Sequence, residues 1–206
     1  MPIHRTVPAL ALALALGACN SHRDRDAAAN PPAGAETGVV PADTTATTSA
    51  PAAPAELSDA NIVALLDHAN AADSTAGALA ATKATNPQVK QFAKLMMSEH
   101  HALRKQGADL AKKLGVTPEP PANDPVTALA QQETQALQSA PKGAEFDKTY
   151  IDQEVTAHEA VLDLAGKAHD QAKNPELKAL IEKAKPVIEK HLDQAKQLQQ
   201  KLQGAA

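Results

Sequence analysis

Apolar residues recur at intervals of three and four positions through most of the chain after residue 56, which is the spacing of one buried face on an α-helix. Ser58 and Asp59 are residues that favour a helix start, and the first segment is predicted to end near Thr85. A second helix is predicted from Pro87 and is closed by Gly115. So short a connection between the two makes them antiparallel neighbours.

The second half of the chain repeats this pattern. Helices are predicted from about Ala144 to Lys173 and from Pro175 to about Leu202, with a proline-rich connection before them. Within that connection, Asp124-Pro125 predicts a shorter helix that ends near Gln138. The expected fold is therefore all-α: an up-down-up-down four-helix bundle with a short extra helix in its middle connection.

The two pairs of long helices share a sequence at their turns. Residues 84–90 read Ala-Thr-Asn-Pro-Gln-Val-Lys, and residues 172–178 read Ala-Lys-Asn-Pro-Glu-Leu-Lys. Two related helical hairpins would explain this echo. Chance convergence on a good helix stop and start is the other explanation.

The N-terminus has the pattern of an export signal. Residues 1–18 contain a short basic region, a brief apolar run and small residues, and the run is too short to span a bilayer. Leu16-Gly17-Ala18-Cys19 resembles the signal of bacterial lipoproteins, which implies cleavage before Cys19 and acylation of that residue. Asn20 follows it, and this resemblance favours a membrane anchor at the periplasmic face of the outer membrane.

Residues 19–55 differ from both flanking parts, since after the lipidated Cys19 they are mainly Ala, Pro, Thr and Ser with scattered charges. Such a segment cannot bury enough apolar surface to offset its ordering entropy. It is predicted to be a disordered tether, and residues 56–203 are predicted to form the helical bundle.

Composition narrows the possible partners. The net charge of -4 and pI near 6.0 give no basic footprint for nucleic acid, and aromatic residues make up only 1% of the chain. Nucleic acid is therefore not expected as a partner. With the single cysteine acylated, disulfides and thiol chemistry are excluded as well.

Three histidines fall on the predicted apolar faces: His100, His158 and His191. At about 1.5 Å per residue, His158 and His191 each lie roughly 24 to 26 Å from the Asn174 turn. Asp73 and His100 lie roughly 19 to 22 Å from the Asn86 turn. If both turns are at the same end, as the predicted bundle requires, these four side chains form one interior layer.

The layer has two interpretations. Neutral imidazole is the commonest metal ligand, so the three histidines together with Asp73, Glu99 or Glu154 could hold one zinc, copper or iron ion. Alternatively, the buried imidazoles satisfy one another in a hydrogen-bonded polar layer that fixes helix register. The sequence leaves both open.

Several segments together resemble a bacterial exported family, domain of unknown function 4142, whose members are often described as outer-membrane proteins. The resemblance is carried by Asp73–Ala80, Asn86–His100, Phe146–Tyr150, His158 and His191, and it covers nearly all of residues 56–202. It implies a ferritin-like bundle. In that family the position of Asp73 is commonly glutamate and that of Glu99 commonly aspartate. This chain therefore keeps the negative charge at both positions and changes the length of each side chain.

Ferritin-like di-iron proteins use Glu-x-x-His motifs, and this chain lacks that spacing. Glu99 adjoins His100, and Glu189 is two residues before His191, so neither pair faces one ion from a single helix. The resemblance therefore does not extend to di-iron oxidation or iron storage.

Two functional hypotheses follow. The first is a non-catalytic, lipid-anchored bundle that acts in envelope maintenance or stress tolerance, and the alternative is a metal-binding protein that uses the histidine and carboxylate layer. Enzymatic activity is the weakest hypothesis. His158 beside Glu154 could act as a general base, but no nucleophile or anion hole accompanies them.

Overall fold

The computed structural model describes residues 56–204, so the predictions for the signal peptide, Cys19 and the tether lie outside the described residues. The described part contains five helices and no strands, as predicted. None of these helices is long and apolar enough to cross a membrane. Their bounds are α1 Asp59–Lys83, α2 Pro87–Leu114, α3 Pro125–Ser139, α4 Ala144–Gln171 and α5 Pro175–Gln203.

Side-chain caps explain why the helix starts could be predicted. Ser58 accepts a hydrogen bond from the Asn61 backbone N–H (3.1 Å), which satisfies one of the unpaired donors of the first turn of α1. Asn86 and Asn174 do the same for α2 and α5, and in both helices proline follows directly. Gly115 ends α2 with φ +65°, a left-handed conformation that glycine adopts without steric cost.

The two turns lie at opposite ends of the bundle, so the predicted up-down-up-down order is wrong. The Asp147 carboxylate, at the start of α4, accepts hydrogen bonds from the backbone N–H groups of Thr85 (2.9 Å) and Asn86 (2.8 Å) in the α1–α2 turn. The Asp59 carboxylate, at the start of α1, accepts from the N–H of Lys173 (2.8 Å) in the α4–α5 turn. Helix α4 therefore begins where α1 ends.

Helix α3 carries the chain from one end of the bundle back to the other. Asp124, at its N-terminus, contacts His68 in the first half of α1 (2.7 Å). At its C-terminal end, Lys83 from the last turn of α1 donates to the carbonyl oxygens of Leu137 (2.7 Å) and Ala140 (2.6 Å). Helix α3 thus runs parallel to α1, and the chain order is up, down, up through α3, down, up.

The reciprocal caps favour the duplication interpretation of the sequence echo. Each hairpin contributes an aspartate, Asp59 or Asp147, that binds the backbone of the other hairpin's turn. These aspartates are separated by the same number of residues as the two Asn-Pro steps. The two hairpins are therefore equivalent in sequence position and in contacts.

The polar layer lies between two apolar cores. One core surrounds Phe92, Phe146 and Tyr150, at the end of the bundle where α1 meets α2. The other surrounds Ile62, Leu177 and Ile181, at the end where α4 meets α5. Because apolar packing closes the bundle above and below, side chains at mid-height are removed from solvent at both ends.

Candidate metal centre

The three histidines meet at the centre of the bundle. His100, His158 and His191 lie near the midpoints of α2, α4 and α5, and they are 2%, 1% and 0% exposed. Their ring centroids are 5.1 to 5.5 Å apart. The predicted convergence of the three histidines is correct although the predicted helix order is not. A residue near the midpoint of a helix lies at the middle of the bundle whichever way that helix runs.

The His158 ring is held from its own helix. Its Nδ1 lies 2.8 Å from the Glu154 carbonyl oxygen, one turn earlier on α4. A carbonyl oxygen only accepts, so Nδ1 carries the proton and Nε2 carries the lone pair. That Nε2 atom is buried and has no hydrogen-bond partner within residues 56–204.

The His191 ring is held from a neighbouring helix. Its Nε2 lies 2.7 Å from a carboxylate oxygen of Glu99, on α2, and donates to it. The lone pair is therefore on Nδ1, which is buried and without a partner in the described part of the chain. Glu99 is 32% exposed and also lies 3.8 Å from the Lys190 ammonium, so it connects the ring to the protein surface.

The His100 ring is held by α1. Its Nδ1 lies 2.9 Å from Asn70 Oδ1 and 3.3 Å from Asp73 Oδ2. The Asn70 amide is itself oriented, because its Nδ2 donates to the Leu66 carbonyl oxygen (2.6 Å). The oxygen of the amide therefore faces His100, Nδ1 donates, and Nε2 is left buried with no partner among the described residues.

One ring nitrogen from each histidine lies within 4.8 Å of the other two. Each of the three rings donates its single proton outward, to Asn70, Glu154 or Glu99. The inner nitrogens consequently carry only lone pairs, and acceptors cannot satisfy one another. Among residues 56–204, the three imidazoles therefore do not hydrogen-bond to one another, as the second interpretation of the sequence requires.

Burial keeps these imidazoles neutral. Desolvation lowers the pKa of His100 to about 4, although the charge of Glu99 opposes this. Desolvation also lowers the pKa of His158 and of His191. Since only the neutral ring offers a lone pair to a metal ion, the three rings are in the ligating form at neutral pH.

Buried carboxyl groups adjoin His100 and His158 on the side that carries their N–H groups. Asp73 and Glu154 lie with His158 in a second group whose ligand atoms are within 4.8 Å of one another, and Glu154 Oε2 is 3.4 Å from His158 Nδ1. Burial raises the pKa of Asp73 to about 6, and a protonated His158 would oppose this shift. Burial, followed by repulsion from Asp73 and Glu133, raises the pKa of Glu154 well above its usual range.

Glu133, on α3, is a site residue that sequence reasoning missed. It is 3% exposed, and burial together with repulsion from Asp73 raises its pKa to about 8. The signal was present: Val126, Glu133 and Leu137 are spaced as one helical face, and all three are buried. Because α3 belongs to the predicted connection between the two hairpins, its apolar face is not expected to contribute a carboxylate to the centre of the bundle.

The comparisons with known proteins address the family and the fold. Residues 44–198 match the family described as "Domain of unknown function (DUF4142)". The chain belongs to this family. Comparison with curated protein sequences gives no significant match.

A solved structure described as "CopM in the Cu(II)-bound form" is similar to this chain with a TM-score of 0.59 and 18% sequence identity. The similarity covers 71% of this chain and 99% of that one. At this identity the likeness concerns the fold alone. Neither membership in DUF4142 nor the likeness to CopM assigns a role to the buried polar centre.

The sequence-predicted site residues divide into an inner and an outer set. His100, His158, His191, Asp73 and Glu154 are all buried and adjacent at mid-height. Glu99 is not in either group of converging ligand atoms. It lies behind His191 as a hydrogen-bond acceptor, which is a common outer partner of metal-binding histidines.

Proposed function

We propose that this protein binds one transition-metal ion through His100 Nε2, His158 Nε2 and His191 Nδ1, at the centre of a ferritin-like bundle. The observation that carries the proposal is the set of three buried imidazole lone pairs with no donor among the described residues. An unpaired buried acceptor costs on the order of 1 to 3 kcal/mol. A metal ion would satisfy all three at once.

The outer hydrogen bonds support this assignment. Metal-binding histidines usually donate their second N–H to a carboxylate, amide or carbonyl oxygen, which fixes the tautomer and the ring orientation. Here the three rings use Asn70, the Glu154 carbonyl and Glu99 for this purpose, so each ring is already fixed with its lone pair directed inward.

Three neutral nitrogen ligands suit copper or zinc better than calcium or magnesium, which prefer oxygen. The Cu(II)-bound state of CopM, a distant relative in fold, supports copper as the first ion to test. A di-iron centre is not proposed, since the Glu-x-x-His spacing is missing.

The cellular role follows from the predicted location. We infer a bundle that is lipid-anchored through Cys19 to the outer membrane and faces the periplasm, where it would sequester metal ions that reach the envelope. Burial of all three rings supports sequestration, because an ion held there is shielded from solvent. Envelope maintenance without a metal remains the competing prediction.

The test uses the full chain, purified without a histidine tag and titrated with Cu(II) and Zn(II). We expect one ion per chain, with affinity reduced at least about 100-fold by His158→Gln or His191→Gln. His101→Gln is the matched control, because His101 adjoins His100 but is exposed. Failure to bind any ion, or equal loss in His101→Gln, would refute the proposal.

A further inference from the structure

A second cluster of unpaired polar atoms lies beside the histidines. Asp73, Glu133 and Glu154 come from three different helices, α1, α3 and α4, and are 4%, 3% and 0% exposed. None of the three forms an ion pair with a lysine or arginine within residues 56–204. Asp73 and Glu154 converge to within 4.8 Å, and α3, which carries Glu133, packs against both of their helices. No lysine or arginine among the described residues balances these carboxyl groups.

The oxygens of this cluster lack hydrogen bonds. Both carboxyl oxygens of Glu154 and Oε1 of Glu133 are buried without a partner among the described residues. Native proteins pair most buried polar side-chain atoms, so three unpaired oxygens in one place require an explanation.

Tyr150 points to the same region independently of the acidic residues. Its side chain is 0% exposed, and its hydroxyl has no hydrogen bond of adequate geometry within residues 56–204. Burial, followed by the interaction with Glu154, raises the pKa of this hydroxyl. Glu154 lies one turn later on the same helix, so the phenol oxygen lies on the same face of α4 as the unpaired Glu154 carboxyl group. A buried and unpaired phenol oxygen is therefore available beside Glu154.

Shared protons alone do not account for this arrangement. Carboxyl groups that share a proton form short O–H···O bonds of about 2.5 to 2.7 Å. Asp73 and Glu154 approach within 4.8 Å, yet no hydrogen bond joins their side chains. Oxygens that are near one another but not bonded are instead the arrangement expected around a cation, whose bonds of roughly 2.0 to 2.2 Å keep its ligands apart.

We propose that the converging carboxyl groups of Asp73 and Glu154 form a second cation site. Glu133 and the Tyr150 hydroxyl, whose buried oxygens are unpaired among the described residues, would complete it, and it would take a divalent ion that prefers oxygen ligands, such as Mn(II), Fe(II) or Mg(II). The site goes beyond the histidine centre and does not require that centre to be filled. The His158 N–H lies beside it but is already donated to the Glu154 carbonyl. The bundle would then hold two ions of different ligand preference.

Mn(II) is the probe for this site, because its free-ion paramagnetic resonance signal disappears on binding. In a titration of the full chain we expect one bound Mn(II), with affinity at least tenfold weaker in Glu133→Gln and in Glu154→Gln. Glu145→Gln is the matched control, since Glu145 is an exposed acid on the same helix as Glu154. Far-ultraviolet circular dichroism checks that each variant keeps its helices.

His191→Gln separates the two proposals. It should abolish tight Cu(II) binding and leave Mn(II) binding within about twofold. If the wild-type chain binds Cu(II) but no Mn(II), the histidine centre stands and the second site is wrong. Unchanged Mn(II) affinity in Glu133→Gln would also overturn it.

A crystal soaked in Mn(II) gives a readout that does not depend on variants. An anomalous peak between the carboxyl groups of Asp73, Glu133 and Glu154 would support the second site. A peak only elsewhere on the protein would contradict it.

Discussion

The two halves of the polar interior are built in opposite ways. In the histidine half, every ring has one nitrogen tied to an oxygen and one left for a ligand. In the carboxyl half, Glu154 has neither oxygen tied, and the group is charged whenever it loses its proton. Neutral imidazole rings that are already hydrogen-bonded lose little free energy on burial. Buried carboxylates, in contrast, destabilise the fold until a proton or a cation compensates their charge.

The histidine half is preorganised for a ligand, whereas the carboxyl half contains buried polar atoms that the described residues leave unpaired. The histidine half resembles a finished ligand set, with outer partners on α1, α2 and α4. The carboxyl half depends on α3, the helix that the duplicated hairpins do not supply. A metal ion should therefore affect both halves, but the histidine half should need less rearrangement.

The largest expected effect is stabilisation by metal. A ligand that binds only the folded state adds about 4.1 kcal/mol when its free concentration is 1,000 times its dissociation constant. Thermal unfolding with Cu(II) or Zn(II) at that concentration should show a clear rise in Tm for the wild type and for His101→Gln. His158→Gln, whose affinity is expected to be at least about 100-fold lower, should gain at most about 1.4 kcal/mol at the same ion concentration. An equal rise in that variant would place the ion elsewhere.

An intermediate effect is expected at Asn70. Asn70→Ala removes the acceptor that holds the His100 Nδ1 proton, and loss of such outer partners typically costs 10- to 100-fold in metal affinity. Isothermal titration with Cu(II) should show this loss, while Mn(II) binding changes little. If Mn(II) binding falls as much as Cu(II) binding, the two halves do not act as separate sites.

The smallest effect concerns the pH dependence of the metal-free fold. The folded-state pKa of Glu133 is about 8, above its ordinary value near 4.5, so folding favours the protonated form. Its contribution to stability is full below about pH 4.5 and is lost as the pH rises towards 8. The free energy of unfolding of Glu133→Gln should therefore rise relative to that of the wild type by on the order of 1 kcal/mol per pH unit between pH 6 and 8.

Urea unfolding at pH 6, 7 and 8, with a chelator present, measures this difference. The free energy of unfolding of Glu145→Gln should change with pH in the same way as that of the wild type, because the Glu145 side chain is exposed. A constant difference between Glu133→Gln and the wild type across the range would show that Glu133 ionises as an ordinary surface acid.

Local features of the sequence were enough to predict the helices. Ser58, Asn86, Asp124 and Asn174 each cap a helix within their own few residues, so the starts required no tertiary information. The direction of α4 relative to α1 depends on Asp147 and Asp59 binding turns that are distant in sequence. The spacing of apolar residues along a helix does not depend on such long-range contacts. The sequence therefore predicts the helices correctly and their up-down-up-down order wrongly.

The sequence was enough to predict which histidines come together, but not which nitrogen atom of each ring faces the others. His100, His158 and His191 stand out because polar side chains on apolar helix faces are unusual, and their mid-helix positions bring them to one level. Which nitrogen faces inward depends on Asn70, Glu99 and a backbone carbonyl, and side-chain torsions set those contacts. Glu133 required knowing that α3 packs against α1 and α4.

X-ray absorption fine structure on the stoichiometric Cu(II) or Zn(II) complex shows whether the three imidazoles bind one ion. We predict three imidazole nitrogens at about 2.0 Å from the ion, in the wild type and in His101→Gln alike. A first shell with one imidazole or none, or a chain that retains no ion after purification and titration, would contradict it.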